Sequence, residues 1–168
     1  KMDVPKIYVA CLAAYNSGIL HGSWIDLEDS ANIRDDIQTM LAASPIRNAE
    51  EYAIHAYEGF GDKALCEYED IDTLVEIAQF ITQHGELGGA LVGEYSVEEA
   101  ETLLEERYQG SYNSEVDFAY SIFDDCHSNA IPSNLIYYFD YDAFARDLFM
   151  CDYFSVEADG QTHVFSNN

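Results

Sequence analysis

Positive charge is what this chain has least of. Seven Lys+Arg stand against 32 Asp+Glu, a formal net charge of −25 on 168 residues. So acidic a surface repels nucleic acid, anionic lipid and phosphorylated substrates, and it attracts whatever carries a large basic groove. Cysteine is sparse as well. Cys11, Cys66, Cys126 and Cys151 are widely spaced with no C-x-x-C, too few for a disulfide-stapled secreted scaffold, so reduced, buried thiols are expected. No apolar run reaches transmembrane length, and no charged segment followed by an apolar one opens the chain. The expectation is a cytoplasmic protein with no membrane partner.

Catalytic signatures are missing too. There is no G-x-S-x-G, no H-E-x-x-H and no P-loop. The glycines between Gly85 and Gly93 lack dinucleotide-loop spacing and have no Lys after them. Cys126-His127 beside Asp124-Asp125 offers ligand-type side chains, but neighbours on one helix do not converge on one metal. Asp70-Ile71-Asp72 and Asp140-Tyr141-Asp142 begin like calcium loops and lack the Gly at position six and the Glu at twelve, so helix capping explains both better. Among this many carboxylates some pair falls at glycosidase spacing by chance. The expectation is a protein that is not an enzyme, with no catalytic residue, no metal and no cofactor.

What is present argues for a fold. Hydrophobic residues make up 48% and aromatics 14%, with 13 Tyr and 9 Phe, whereas a disordered acidic chain cannot supply a core. Ile7–Leu12 reads as a strand, Tyr15–Gly18 as a turn, and Ile19–Leu27 as the partner strand. Ser30 is placed to cap a helix with Ile33, Ile37, Met40 and Leu41 on one face, ending before Ser44-Pro45. Glu51–Tyr57 is a third strand. Leu74, Ile77, Ala78 and Ile81 form a helical face, and Gly85–Gly93 is a looser second helix or a turn.

Ser96-Val97-Glu98-Glu99 has capping-box spacing and opens a helix striped by Val97, Ala100, Leu103, Leu104 and Tyr108. Ser114 caps another helix, lined by Phe118, Ala119, Ile122, Phe123 and Cys126. Pro132 breaks the chain, and Asp140 caps a helix with Phe144 and Leu148 inward. Asp152–Glu157 and Thr162–Phe165, split by Asp159-Gly160, form a terminal hairpin. The fold class expected is α+β, an elongated chain of three small units. These are a ββαβ unit over 1–61, an acidic helical unit over 62–109 and a C-terminal α+β unit over 110–168. Trp24 and the aromatics from 137 to 154 are expected in the core. Tyr137, Tyr138, Phe149 and Tyr153 are the alternative candidates for self-association.

The acids are unevenly shared. Residues 1–63 carry five cationic and ten acidic side chains, and residues 64–168 carry two and twenty-two. Between Lys63 and Arg107 there is no cation, but there are Glu67, Glu69, Asp70, Asp72, Glu76, Glu86, Glu94, Glu98, Glu99, Glu101, Glu105 and Glu106. Glu115, Asp117, Asp124 and Asp125 continue the series. Like charges three or four residues apart destabilise a helix, and solvated helix faces normally mix both signs. Duplex DNA carries one negative charge per ~1.7 Å of axis, so this net charge equals that of roughly 40 Å of duplex. Carboxylates held on helices can then stand in for phosphates, and those sixteen residues are the candidate phosphate-mimicking surface.

Four stretches resemble the ArdA-type antirestriction proteins of mobile genetic elements: Ile7–Leu27, Glu50–Phe60, Leu103–Ile122 and Tyr138–Tyr153. Together they span most of the chain in the family's order, although Gly85–Gly93 has no place in that pattern. The resemblance implies a DNA mimic, elongated and homodimeric. It implies binding to the DNA groove of type I restriction–modification enzymes and no binding of nucleic acid itself. Two other readings of the charge stand beside it, a halophile-type acidic surface and a low-affinity divalent-cation binder.

Overall fold

Alternating apolar residues open the fold. A computed structural model of the chain describes residues 4–168 and places strand β1 at Lys6–Cys11, with Ile7, Val9 and Cys11 fully buried. A short helix α1, Leu12–Asn16, occupies part of the expected turn, and Gly18 completes the reversal with φ 78°. Strand β2, Gly22–Asp26, then pairs antiparallel with β1 from Lys6↔Asp26 to Ala10↔Gly22. Helix α2, Ser30–Ala42, buries Ile33, Ile37, Met40 and Leu41. Its cap is Asp29, whose carboxylate accepts from Ala31 N at 3.1 Å, so Ser30 is the first helical residue and not the cap. Strand β3, Tyr52–Glu58, pairs with the other side of β1, giving the order β2-β1-β3. A bulge places His55 opposite no residue of β1, and its ring meets Tyr15 edge-on at 4.8 Å.

Helix α3 spans Ile71–Glu94 and is broken at Gly85, where φ 65° and ψ −142° suit only glycine. Leu74, Ile77, Ala78 and Ile81 are buried before the break, and Leu87, Gly88, Gly89, Leu91 and Val92 after it. The glycines here are packing residues. Gly61 has φ 57°, and a Cβ on it would lie 2.6 Å from the Cα of Gly89. One on Gly93 would lie 2.7 Å from the Cβ of Asp62. Asp62 N also donates to Gly89 O at 3.3 Å. The loop after β3 therefore lies directly on the second half of α3, a contact that side chains would prevent.

The chain divides into two compact units, 1–97 and 98–168. That boundary lies inside the segment 62–109 expected as one unit. Helix α4, Val97–Thr102, widens into a π turn over Leu103–Arg107 and passes into strand β4, Tyr108–Tyr112. Tyr108 is thus a strand residue, not the end of a helical stripe. Pairing of β4 with β6 outweighs the local helical period.

Helix α5, Glu115–His127, is capped by Ser114 Oγ accepting from Asp117 N at 3.1 Å, and it buries Phe118, Ala119 and Phe123. A 3-10 turn at Ile136–Tyr138 follows Pro132. Helix α6, Tyr141–Cys151, is capped by Asp140 accepting from Ala143 N. Phe144 and Leu148 on α6 are half-buried. Strands β5, Tyr153–Ala158, and β6, Gln161–Ser166, form the terminal hairpin. Asp159 and Gly160 both take positive φ in its two-residue turn. The second sheet has the order β4-β6-β5. Phe118 is its hub, meeting Tyr112 at 5.1 Å, Tyr153 at 4.7 Å and Phe149 at 5.6 Å between ring centroids.

The α+β class expected is the one observed, with two small antiparallel sheets and helices in both units. Two burial expectations are corrected. Only Cys11 is a buried thiol, and Cys66, Cys126 and Cys151 are exposed and free. Trp24, Tyr137 and Tyr138 are 45%, 90% and 83% exposed and belong to no core, whereas Phe149 and Tyr153 pack on Phe118.

Candidate acidic interaction surface

The helical period that turns apolar residues inward turns the acids outward. On α3, Ile71, Leu74, Val75, Ile77 and Ala78 are buried while Asp72 and Glu76 between them are exposed. On α5, Phe118, Ala119 and Phe123 are buried while Glu115, Asp117, Asp124 and Asp125 are exposed. Every acidic side chain among the described residues is exposed except Glu69, which is half-buried. This includes carboxylates outside the sequence-derived set, such as Asp140, Asp142 and Asp147 on or next to α6. Exposure alone therefore does not single out the sixteen.

In the first unit, several members of the set also have local tasks. Glu69 Oε1 accepts from Cys66 N at 3.1 Å. Asp70 Oδ2 caps α3 through Thr73 N at 3.1 Å and Thr73 Oγ1 at 3.2 Å. Asp72 pairs with Arg34 at 3.0 Å, and that bond and attraction raise the guanidinium pKa above its ordinary value. Its charge is offset locally, unlike that of an uncompensated phosphate. Glu67, Glu86 and Glu94 are exposed, Glu67 lying before α3 and the other two in its second half.

In the second unit, Glu98, Glu99 and Glu101 lie on α4 and Glu105 and Glu106 on the π turn, all exposed. Nine residues at helical rise cover roughly 13 Å, so these five carboxylates carry about one charge per ~2.7 Å of axis. Duplex DNA carries one per ~1.7 Å and a single strand one per ~3.4 Å, so the density lies between the two. Asp124 and Asp125 sit in the last turn of α5, the negative end of the helix dipole, where carboxylates are disfavoured. Nearby, the Tyr141 phenol is held above its ordinary pKa, by desolvation first and then by the Asp124 charge. Glu115 Oε1 accepts from Ser155 Oγ at 2.8 Å.

Cations give little relief. Among the described residues, Lys and Arg form ion pairs with Glu58, through Lys6 at 3.1 Å, and with Asp72, through Arg34. No three His, Cys, Asp or Glu side chains among the described residues are grouped as metal ligands would be. No described helix is long and apolar enough to cross a membrane. A surface with this much carboxylate and so little counter-charge suits recognition of a cationic protein groove.

The family model described as "Antirestriction protein (ArdA)" matches residues 7–162. A search of curated proteins finds no match.

Proposed function

This chain belongs to the ArdA antirestriction protein family, and from that premise we propose that it acts as a DNA mimic. It occupies the DNA-binding groove of a type I restriction–modification enzyme and so spares incoming DNA from cleavage. The observation that carries the reading is the uniform outward placement of the acids. No described carboxylate is buried, and the run Glu98–Glu106 on α4 and the π turn carries charge at a spacing comparable with a phosphate backbone.

The role of the carboxylates is collective. An enzyme groove lined with Lys and Arg displaces the cations gathered around a preformed acidic surface, as it displaces those around DNA. Each exposed contact contributes little, and affinity comes from their number. The sixteen residues act as two sets, Glu67 to Glu94 in the first unit and Glu98 to Asp125 in the second, with Asp72 contributing least because Arg34 already holds it. We propose a homodimer in the cytoplasm as the working form, which doubles the number of carboxylates presented.

The test mixes the purified protein with a type I restriction enzyme and unmodified plasmid. Cleavage is expected to stop with the DNA itself unchanged, and the block should weaken steeply as salt rises. Unimpeded cleavage at a large molar excess of protein and low salt would refute the reading. A halophile-type surface leaves cleavage running at every salt concentration. A divalent-cation binder shows instead a saturable calcium-dependent shift in melting temperature.

A further inference from the structure

The first sheet has two edges, and they are treated differently. The outer edge of β3 is covered by the loop that precedes α3, with Ile54 N donating to Glu67 O at 2.9 Å. The outer edge of β2 has no such cover. Leu27 N donates to Pro5 O and Cys11 N to His21 O, and the register between them pairs Ile7 with Ile25 and Val9 with Ser23. In an antiparallel ladder this alternation aims the backbone groups of His21, Ser23, Ile25 and Leu27 at β1. Those of Gly22, Trp24 and Asp26 therefore face away from the sheet, and no described backbone group pairs with them.

Exposed edges are normally blunted by shortness, charge, Pro or a bulge. β2 has five residues with one charge, Asp26 at its end, and no Lys, Pro or bulge, and Trp24 on it and Leu20 just before it are 45% and 87% exposed.

Beside this edge runs a groove of about 420 Å³ between β2 and α2, lined by Gly22, Trp24, Ile25, Asp36, Thr39 and Met40. His21 Nε2 lies 2.7 Å from Met40 O and ties the strand's start to the helix. The charge around the groove is mainly negative, and Lys6, whose Nζ lies 5.2 Å from the Trp24 ring centroid, is already paired with Glu58. Asp36 forms part of its wall, Asp26 ends the strand, and Glu28, Asp29 and Asp35 are exposed on the segment that follows. No cation lines it. A second copy of the chain would bring the same acids against themselves, which disfavours pairing of two β2 edges.

We propose that β2 and the groove beside it bind an extended cationic segment of a partner protein by strand addition. Backbone bonds form to Gly22, Trp24 and Asp26, alternate side chains enter the groove, and a Lys or Arg meets Asp36. This site lies wholly within the first unit and does not depend on the carboxylate surface proposed above.

Trp24 is the only tryptophan, so its emission reports the edge directly. The probe is an acetylated, amidated nonapeptide of alternating Lys and Val, titrated into the full chain at about 0.15 M salt. A saturable shift of Trp24 emission is expected, with amide shifts at Gly22, Trp24 and Asp26 by NMR. Two further peptides carry backbone N-methyl groups on alternate residues, one in each phase. Strand addition predicts that one phase loses affinity about tenfold or more while the other keeps it.

Asp36→Lys is expected to weaken the parent peptide about tenfold. Equal binding of both methylated peptides would overturn the proposal, since diffuse attraction ignores phase. So would equal binding of a Glu/Val peptide, or Trp24 emission that tracks protein concentration without peptide, which would make a second copy the occupant.

Discussion

Neutralising the acidic run of the second unit separates function from stability by sign. The perturbation is the triple change Glu98→Gln, Glu101→Gln and Glu105→Gln, all exposed side chains. If each makes one screened contact with a basic groove at ~0.2–1 kcal/mol, the three together contribute about 1–3 kcal/mol. That is roughly 5- to 150-fold in inhibitory potency. Stability should move the other way. Glu98 and Glu101 are three apart, and Glu101 and Glu105 four apart, each such like-charge pair costing ~0.2–0.5 kcal/mol. Removing both repulsions stabilises by about 0.4–1 kcal/mol, or about 1–4 °C in Tm.

The assays are plasmid protection against a type I restriction enzyme and thermal melting followed by circular dichroism. A control triple, Glu28→Gln, Asp35→Asn and Glu50→Gln, removes the same net charge from exposed positions of the first unit outside the proposed surface. The expected result is a large loss of protection with a raised Tm for the first triple, and a much smaller loss for the control. Equal losses from both would show that net charge alone matters, and the reasoning from a localised surface would fail. Unchanged protection by the first triple would refute it as well.

Three further predictions rest on the same structure. Raising salt from about 0.01 M to 0.5 M should raise Tm while weakening inhibition, because screening relieves self-repulsion and attraction alike; a Tm that falls with added NaCl would contradict this. Gly61→Ala should destabilise by about 2–4 kcal/mol in urea melts, combining left-handed strain with a backbone collision at Gly89. Gly18→Ala, at φ 78° with nothing within 4 Å, should cost only the strain, about 1–2 kcal/mol, so equal effects would disprove the close approach.

The Tyr108 phenol is held above its ordinary pKa, by desolvation first and then by Asp159. The folded state therefore keeps that proton more tightly than the unfolded chain. The stability this contributes is complete below the free-tyrosine pKa, near pH 10, and is lost as pH rises through the folded value. Tyr108→Phe should flatten the alkaline fall in Tm. At neutral pH it should cost about 1 kcal/mol for the bond to His163 Nδ1, 2.6 Å long in the native protein. An unchanged alkaline slope would contradict the assignment.

Local pattern accounts for much of what was legible in advance. Period-two apolar residues announced β1 and β3, and Ile33, Ile37, Met40 and Leu41 announced α2. Ser114, Asp70 and Asp140 announced three helix starts, and Asp159-Gly160 announced the hairpin turn. The outward placement of the acids was legible too, because a carboxylate between inward apolar residues has nowhere else to go. Each of these depends on neighbours within a few residues, and such neighbours fix one face of an element.

Contacts between distant segments were not legible. Tyr108 became a strand residue because β6, more than fifty residues later, pairs with it. Gly89 and Gly93 looked like loosened helix until the approach of Gly61 and Asp62 gave them a reason. Asp72 looked like any other acid in its run until Arg34, far behind it in the chain, was folded against it.

Composition and spacing alone determined that this chain folds, that it is α+β, and that its surface is anionic. Those properties sum over local choices, and water enforces each one separately by admitting charge and expelling hydrocarbon. Tertiary structure alone decided which strand edge stays open, which carboxylates are already engaged, and where glycine is obligatory. These depend on which two surfaces meet, and that information belongs to pairs of residues too far apart for any local pattern to carry it.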